Sequence, residues 1–241
     1  MCKINIYYIY IYIMNRDETL LKLKNIHSKL IFQGNLNLEL PEQIMAISYI
    51  KPNDCVLELG GSCGRASCVI NHILLNKKNH VVIEPSTREI NVLTSNRNNN
   101  NFKFQIENSA ISHKPLFSKE WHTFDRQIPN SVPVNVITYN QLKEKYNLNF
   151  NVLVIDNEGN FVDMLKNFPN ILIGIRLLQI EHDFNSEKDL EYFYKTMSSN
   201  NFRKSEVFLK TEKYGPGQRW GDGVLSDPIF VSVWENSEPI N

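Results

Sequence analysis

The sequence predicts an α/β fold: a doubly wound, mainly parallel sheet with an antiparallel hairpin at its C-terminal end. Three observations carry that expectation. Short apolar runs alternate with segments of helical period, several of the runs end on a carboxylate, and the last two strand-like runs are joined by a loop instead of a helix. Taken in order, Glu18–Leu30 places Leu20, Leu21, Leu23, Ile26 and Leu30 at helical spacing, and a second helix starts at Pro41, a residue suited to a first turn, and runs to Ile50. Pro52-Asn53-Asp54 then breaks the chain. The spacing next predicts a strand over Cys55–Leu59, a helix over Arg65–Leu75, a strand over His80–Glu84, a helix over Thr87–Arg97 and a third strand over Phe102–Ile106. Lys114–Pro133 lacks clean periodicity and reads as an irregular insertion with room for short hairpin strands. Asn151–Asp156 is the clearest strand of the second half. After it come a helix over Phe161–Phe168, a strand over Gly174–Ile180, a helix over Ser186–Asn200 and the strand-like runs Ser205–Lys210 and Ile229–Trp234, with the glycine-rich loop Tyr214–Gly223 between them. No repeat or linker is visible, so residues 52–241 read as one domain, preceded by helices in 15–51 and an extension over 1–14.

A chain of 241 residues suits a single domain with a full core. Lys plus Arg and Asp plus Glu balance at 26 each, so the summed charge offers no long-range attraction to nucleic acid or to an anionic membrane and argues against a nucleic-acid partner. Cys2, Cys55, Cys63 and Cys68 show neither Cys-x-x-Cys nor a Cys/His zinc spacing, which predicts no metal and a reducing, cytoplasmic setting. Cys63 reads as a small residue filling a tight space. Ile4–Ile13 (INIYYIYIYI) is too short to span a bilayer as a helix and lacks a secretory cleavage site. It reads as a strand-like or disordered extension, with Met14 as an alternative start. The oligomeric state is not legible.

In an open α/β sheet, ligands bind outside the carboxyl ends of the strands. Val56–Gly64 (VLELGGSCG) reads as a buried strand that ends on a carboxylate and turns through glycines into a helix whose first N–H groups are unpaired. Its Gly60-Gly61-x-x-Gly64 is not the G-x-G-x-x-G of dinucleotide-binding enzymes. Successive strand ends carry Glu58, Glu84, Asn108 with Ser109, Asp156, and Glu181 with His182. Any one alone is an ordinary solvated strand end; the set predicts a shared site. Glu84 stands 26 positions after Glu58, near the interval of an acid that accepts from ribose hydroxyls. A carboxylate two residues before the first glycine would repel a pyrophosphate, so Glu58-x-Gly60 suits a cofactor with a positive end and no phosphates. S-adenosylmethionine, with an ammonium, a sulfonium and a ribose, has that character.

Four segments make the reading more specific: Val56–Gly64; Val82-Ile83-Glu84-Pro85 with Leu93 and Asn96 behind it; Asn108-Ser109-Ala110-Ile111-Ser112; and Leu153-Val154-Ile155-Asp156-Asn157-Glu158-Gly159. In this order they resemble the class I S-adenosylmethionine-dependent methyltransferases and, within them, the FkbM family, whose fourth segment typically shows lysine-isoleucine-aspartate followed by Val-Glu-Gly. The resemblance covers roughly Pro52–Glu181. It implies a Rossmann-like, seven-stranded sheet in which Gly60, Gly61, Ser62 and Gly64 shape the cofactor turn and Glu58 sits near the methionine moiety. It further implies that Glu84 with Pro85 holds the ribose hydroxyls, Ser109 and Ala110 lie beside the adenine or its ribose, and Asp156 faces methyl donor and substrate. The chain departs from the family at Gly61 (usually alanine), Ser62 (usually asparagine), Gly159-Asn160-Phe161 (usually Gly-Ala-Glu) and Val154 (often lysine).

The expected activity is O-methylation of a sugar, a glycan or another small hydroxylated acceptor, with a base to take the hydroxyl proton. Asp156, Glu158, Glu181 and His182 are the candidate bases, with His113, His122 and Asp125 of the insertion as outsiders. Asp156-x-Glu158 is too little to predict a metal. The Tyr214–Gly223 loop, with Arg219, Trp220 and Asp222, suits a lid over a polar acceptor or, as readily, a long hairpin connection with Trp220 packed on the sheet. Two alternatives stand beside this reading. One is a catalytically silent S-adenosylmethionine-binding module. The other is a nucleic-acid methyltransferase, whose amino-methylating forms usually carry Asn/Asp-Pro-Pro-aromatic where this chain has Asp156-Asn157-Glu158-Gly159.

Overall fold

The computed structural model describes residues 6–120, 122–211 and 226–238, with side chains from residue 16 onward. The elements run α1 (Ile6–His27), α2 (Leu40–Tyr49), β1 (Val56–Leu59), α3 (Arg65–Ile73), β2 (His80–Ile83), α4 (Thr87–Asn99), β3 (Gln105–Glu107), β4 (Ala110–Ile111), β5 (Leu116–Lys119), β6 (His122–Phe124), β7 (Val132–Val134), β8 (Val136–Ile137), α5 (Tyr139–Tyr146), β9 (Val152–Ile155), α6 (Phe161–Asn167), β10 (Leu177–Glu181), α7 (Glu187–Ser199), β11 (Phe202–Leu209) and β12 (Ile229–Asn236). A single 3₁₀ turn, Pro169–Leu172, follows α6.

Seven strands form the main sheet in the order β11-β12-β10-β9-β1-β2-β3. The pairs from β10 to β3 are parallel, and β12 runs antiparallel to both β10 and β11. The fold class read from the sequence is therefore the one observed, except that the C-terminal hairpin is inserted: β12 lies inside the sheet and only β11 forms the edge. The chain winds outward from β1 to β3 and then returns to β9, which puts the topological switch point between β1 and β9, where open α/β sheets bind ligands.

Consecutive residues of β1, β2 and β9 are all buried because helices cover both faces of the sheet. On one face Leu57, Leu59, Leu153, Ile155, Leu178 and Ile180 join residues of α5, α6 and α7. On the other Val56, Val154 and Leu177 meet Leu23 and Ile26 of α1, Ile44 and Met45 of α2 and Val69 and Ile70 of α3. The helices of residues 15–51 thus share the core of the sheet.

Several expectations need correction. The extension is not strand-like from Ile6 onward. The sequence holds no proline or glycine before Gly34, so nothing interrupts the helix, and α1 propagates cooperatively from Ile6 through the amphipathic stretch to His27. The third strand is shorter and later than Phe102–Ile106, because Phe104 is buried against Val82 and Leu93 instead of standing in the ladder. The insertion does hold the short hairpin strands expected of it: β5 pairs antiparallel with both β6 and β7 in a small sheet of its own. Helix α5 was not predicted, although Thr138-x-x-Gln141 forms a capping box, a legible start signal. The Tyr214–Gly223 loop lies outside the described residues.

At the sheet edge opposite the carboxyl ends of β1, β9 and β10, one buried acid ties their starts together. Arg176 Nε donates to Asp54 Oδ1 at 2.9 Å, a second guanidinium nitrogen donates to Asp54 Oδ2, and Asn151 Nδ2 donates to Asp54 Oδ1 at 3.0 Å. Asn151 Oδ1 in turn accepts from the Cys55 N–H at 2.8 Å. Removing one partner of a buried pair strands the other, so Asp54→Ala is expected to destabilise the fold by about 3 kcal/mol. Urea unfolding measures this, and a loss below about 1 kcal/mol would show that the clamp is dispensable.

Candidate functional site

The glycine turn after β1 is set by its neighbours. Gly60 adopts φ +88°, and a Cβ there would collide with the carbonyl oxygen of Asp156. A Cβ on Gly61 would collide with Cγ1 of Val82 on β2. The N–H groups of Gly60 and Gly61 both donate to the Ile83 carbonyl, at 2.9 and 3.1 Å, and the Asp156 N–H donates to the Leu59 carbonyl at 2.9 Å. The ends of β1, β2 and β9 are therefore locked together, and a cleft of about 930 Å³ opens beside them.

Most of the predicted cofactor residues border this cleft: Gly60, Ser62, Glu84, Pro85, Ala110 and Asp156 do so. Glu84 Oε2 accepts from the Ser62 N–H and Oε1 from the Ser86 N–H, both at 2.7 Å. Asn108 Nδ2 braces the same bend by donating to the carbonyls of Glu84 at 2.8 Å and Pro85 at 3.2 Å. Burial pushes the Glu84 carboxyl up, and its two backbone donors partly offset the rise. Gly61, Gly64 and Ser109 stand behind the cleft wall. Gly64, at φ +93°, caps α3, and Ser109 is buried with its hydroxyl unpartnered among the described residues.

Two predicted site residues, Glu58 and His182, also lie off the large cleft. Glu58 borders a small cavity that Gly60 and Asp156 also border. Its strand position turns it onto the α3 face of the sheet, where Oε1 accepts from Ser67 Oγ at 2.9 Å and Oε2 meets His80 Nε2 at 2.8 Å. His182 is not available as a base. It is buried, with Nδ1 2.6 Å from Asp227 Oδ2 and Nε2 2.7 Å from Ser232 Oγ, and burial lowers its pKa against the opposing pull of Asp227.

The acids at the ends of β9 and β10 do come together. Asp156, Glu181 and Asp183 each offer an oxygen, and these lie within 4.8 Å of one another, a hard-oxygen set of the kind a divalent cation takes. Asp183, absent from the sequence reading, accepts from the Gly159 N–H at 2.6 Å through Oδ2, and Asn185 Nδ2 donates to the Gly159 carbonyl at 3.1 Å. Glu158, at φ +56°, borders the cleft in the same loop. Burial, with like charges close by, pushes Asp156 up to about 7 and Asp183 to about 8, and it pushes Glu181 well above the usual carboxylate range.

The N-terminal segment contributes a wall that the sequence reading missed. Gln33, Gly34 and Glu39 border the cleft. Asn96 holds the segment in place: its Oδ1 accepts from the Gln33 N–H at 2.7 Å, and its Nδ2 donates to the carbonyls of Gln33 at 3.0 Å and Cys63 at 2.8 Å. Arg65 of α3 pairs with Glu39 at 2.5 Å. The outer wall comes from the insertion, whose small sheet brings His122 and Asp125 to the cleft, while His113 stacks on Phe168 with ring centroids 4.2 Å apart.

Among solved structures, the fold is similar to that of an S-adenosylmethionine-dependent O-methyltransferase from Thermotoga maritima (12% identity, TM-score 0.48, covering 84% of this chain and 67% of that one). It is also similar to a Klebsiella pneumoniae protein assigned as an O-methyltransferase (12% identity, TM-score 0.52, 92% and 90% covered). A third, a Bacillus cereus O-methyltransferase crystallised with S-adenosylhomocysteine, matches at 11% identity and TM-score 0.51 over 92% of this chain and 91% of that one. No protein-family model and no curated protein matches the sequence. The likeness establishes a shared Rossmann-like fold. Among the described residues no helix is long and apolar enough to cross a membrane.

Two outcomes follow from this geometry. Gly61→Ala is expected to cost about 1–3 kcal/mol by overpacking against Val82, and distinctly less in a Val82→Ala background. A double-mutant cycle by urea unfolding checks it, and equal costs in both backgrounds would remove Val82 as the cause. The second concerns pH. Asp156 and Asp183 titrate at about 7 and about 8 in the folded state, against ordinary values near 4 when unfolded. The folded state therefore binds more protons at these acids in that window, so their contribution to stability falls as pH rises from about 6.5 to about 8.5. His27, His72 and His182 are lowered in the folded state, so they oppose this decline while the unfolded histidines titrate near 6.5. That leaves about pH 7.5 to about 8.5 as the range the acids control. Melting temperatures across this range should decline, and Glu181→Gln should flatten the decline; a rise with pH would contradict the assignment.

Proposed function

We propose that the protein is an S-adenosylmethionine-dependent methyltransferase acting on a hydroxyl of a sugar, a glycan or another small hydroxylated acceptor. The observation that carries this reading is the pairing of Glu84 and Asp156 on one cleft at the switch point, the first carboxylate held by two backbone N–H groups and the second set among further acids. Each Glu84 oxygen spends one acceptor site on the backbone and keeps another, which suits a pair of ribose hydroxyls. The concentration of acids at Glu39, Asp156, Glu181 and Asp183 opposes a pyrophosphate and suits a ligand with a cationic end. The Bacillus cereus structure, crystallised with S-adenosylhomocysteine, supports the same cofactor class on the same fold.

S-adenosylmethionine, when bound, supplies an electrophilic methyl group on its sulfonium. The chain's own part is to hold the donor's ribose at Glu84, position an acceptor hydroxyl in the cleft and remove its proton. Asp156 is the preferred base, because a carboxyl raised to about 7 can accept a proton near neutral pH and still release it. Glu181 donates its proton to Asp156 in a hydrogen bond and so orients it. The outer wall mixes Lys114, Glu120, His122 and Asp125, and a surface of both signs favours a neutral polyhydroxylated acceptor over a polyanion. Glu84-Pro85 and Asp156-x-Glu158-Gly159 support the narrower FkbM assignment.

Calorimetry with S-adenosylhomocysteine tests the cofactor reading. The wild-type chain should bind, and Glu84→Ala should weaken binding by at least about tenfold, the value of one charge-assisted hydrogen bond. Absence of wild-type binding would overturn the proposal. Transfer of a tritiated methyl group from S-adenosylmethionine into fractionated cell extract tests the acceptor, with label expected in the glycan or small-molecule pool. Label confined to nucleic acid would favour the alternative enzyme, and binding without transfer into any pool would favour a silent module.

A further inference from the structure

Glu42 stands in the first turn of α2, 4% exposed, and neither of its carboxylate oxygens has a hydrogen-bond partner among the described residues. Its position is fixed by the sheet beneath it, since Gln179 Nε2 of β10 donates to the Glu42 backbone carbonyl at 3.1 Å. Glu42 borders a small cavity of about 10 Å³ that Glu39, Glu58, Leu59, Gly60 and Asp156 also border, and the four of these other than Glu58 line the large cleft too. The small cavity is therefore a side pocket of the cleft. A volume of that size takes one water-sized group.

The neighbouring acids are already engaged. Glu58 accepts from Ser67 and His80, and Glu39 pairs with Arg65. Among the described residues Glu42 therefore brings acceptor capacity that nothing uses, a costly arrangement for a buried carboxylate. A divalent cation would need six or more oxygens close around it. A primary ammonium fits the pocket better: it is water-sized, positively charged, carries three donors and hangs from a chain that can lead back into the cleft.

We propose that Glu42 receives the primary ammonium of the amino-acid end of an S-adenosyl ligand, with Glu39 and Asp156 at the pocket mouth, and thereby selects ligands that carry that amino group. This rests on the cofactor reading above. In the ligand-free protein, burial together with the charges of Glu39 and Asp156 pushes the Glu42 carboxyl well above its ordinary range.

The test is calorimetric titration of the full chain with S-adenosylhomocysteine and with its deaminated analogue, in wild type and in Glu42→Gln. Wild type should favour S-adenosylhomocysteine by at least about tenfold, as a charge-assisted contact implies, and Glu42→Gln should shrink that preference to within about threefold. Glu42→Gln should also melt no lower than wild type without ligand, because it removes a buried carboxyl that has no side-chain partner among the described residues. A preference that survives in Glu42→Gln overturns the proposal and leaves the cofactor reading intact. Equal wild-type affinity for the two ligands overturns it without recourse to the variant. Wild type that binds neither ligand overturns the proposal and the cofactor reading together. A melting-temperature rise with magnesium or manganese chloride alone, lost in Glu42→Gln, assigns the pocket to a metal and overturns the proposal.

Discussion

Gly60 carries no side chain because the carbonyl of Asp156 occupies the space where one would stand. That close approach holds β1 and β9 together at the point where the chain reverses its winding direction, and the two N–H bonds to Ile83 bring β2 into the same joint. Glu84 and Asp156 project from the rigid ends of these strands, so their spacing is set by the sheet instead of by mobile loops. The remaining walls are of a different kind. Residues 31–39 and the insertion are laid over the joint from outside and held by side chains such as Asn96 and Arg65. The division matches a cofactor seat built on the sheet and an acceptor seat built on its additions.

The sequence made the joint legible because its requirements are local. A continuous apolar run, a carboxylate and closely spaced glycines all follow from a buried strand that turns sharply, and the parallel sheet followed from the alternation of strands and helices. Gly61 shows how far that legibility went. Its departure from the alanine usual in the resembled family reads as a neutral change until Val82 is seen pressing against it. What the sequence hid depends on contacts between distant segments. Nothing near Glu39 or Glu42 says that α2 lies across β1, β9 and β10, and nothing near Asn96 says that it holds residue 33.

Glu58 and His182 lie off the large cleft for one reason. A residue at a strand end can point to either face, and its type does not say which. Glu58 and Val154 are register partners and share a face with Gln179, so Glu58 lies in a polar row beneath α2 and α3 and borders the small cavity instead of the large cleft. Under the proposed function the charge argument that Glu58 prompted selects a cationic ligand, with Asp156, Glu39 and Glu42 around the same small cavity as Glu58.

Removing His182 from the chemistry changes what the site must do. Inserting β12 beside β10 places Ser232 against its ring and Asp227 at its other nitrogen, within an aromatic cluster that includes Phe184, Phe193 and Trp234. The imidazole thus fastens the hairpin to α7. Among the candidates at the ends of β9 and β10 only carboxylates remain to take a proton, and an ordinary carboxylate near 4 is too weak a base for a hydroxyl at neutral pH. Crowding several acids into a buried space raises them toward the working range, as it does for Asp156. The same crowding makes the ligand-free fold less stable than it would be with fewer acids, and a cationic ligand relieves the repulsion when it binds. In the proposed reaction, basicity at Asp156 and affinity for a positively charged cofactor would therefore come from a single arrangement of charge.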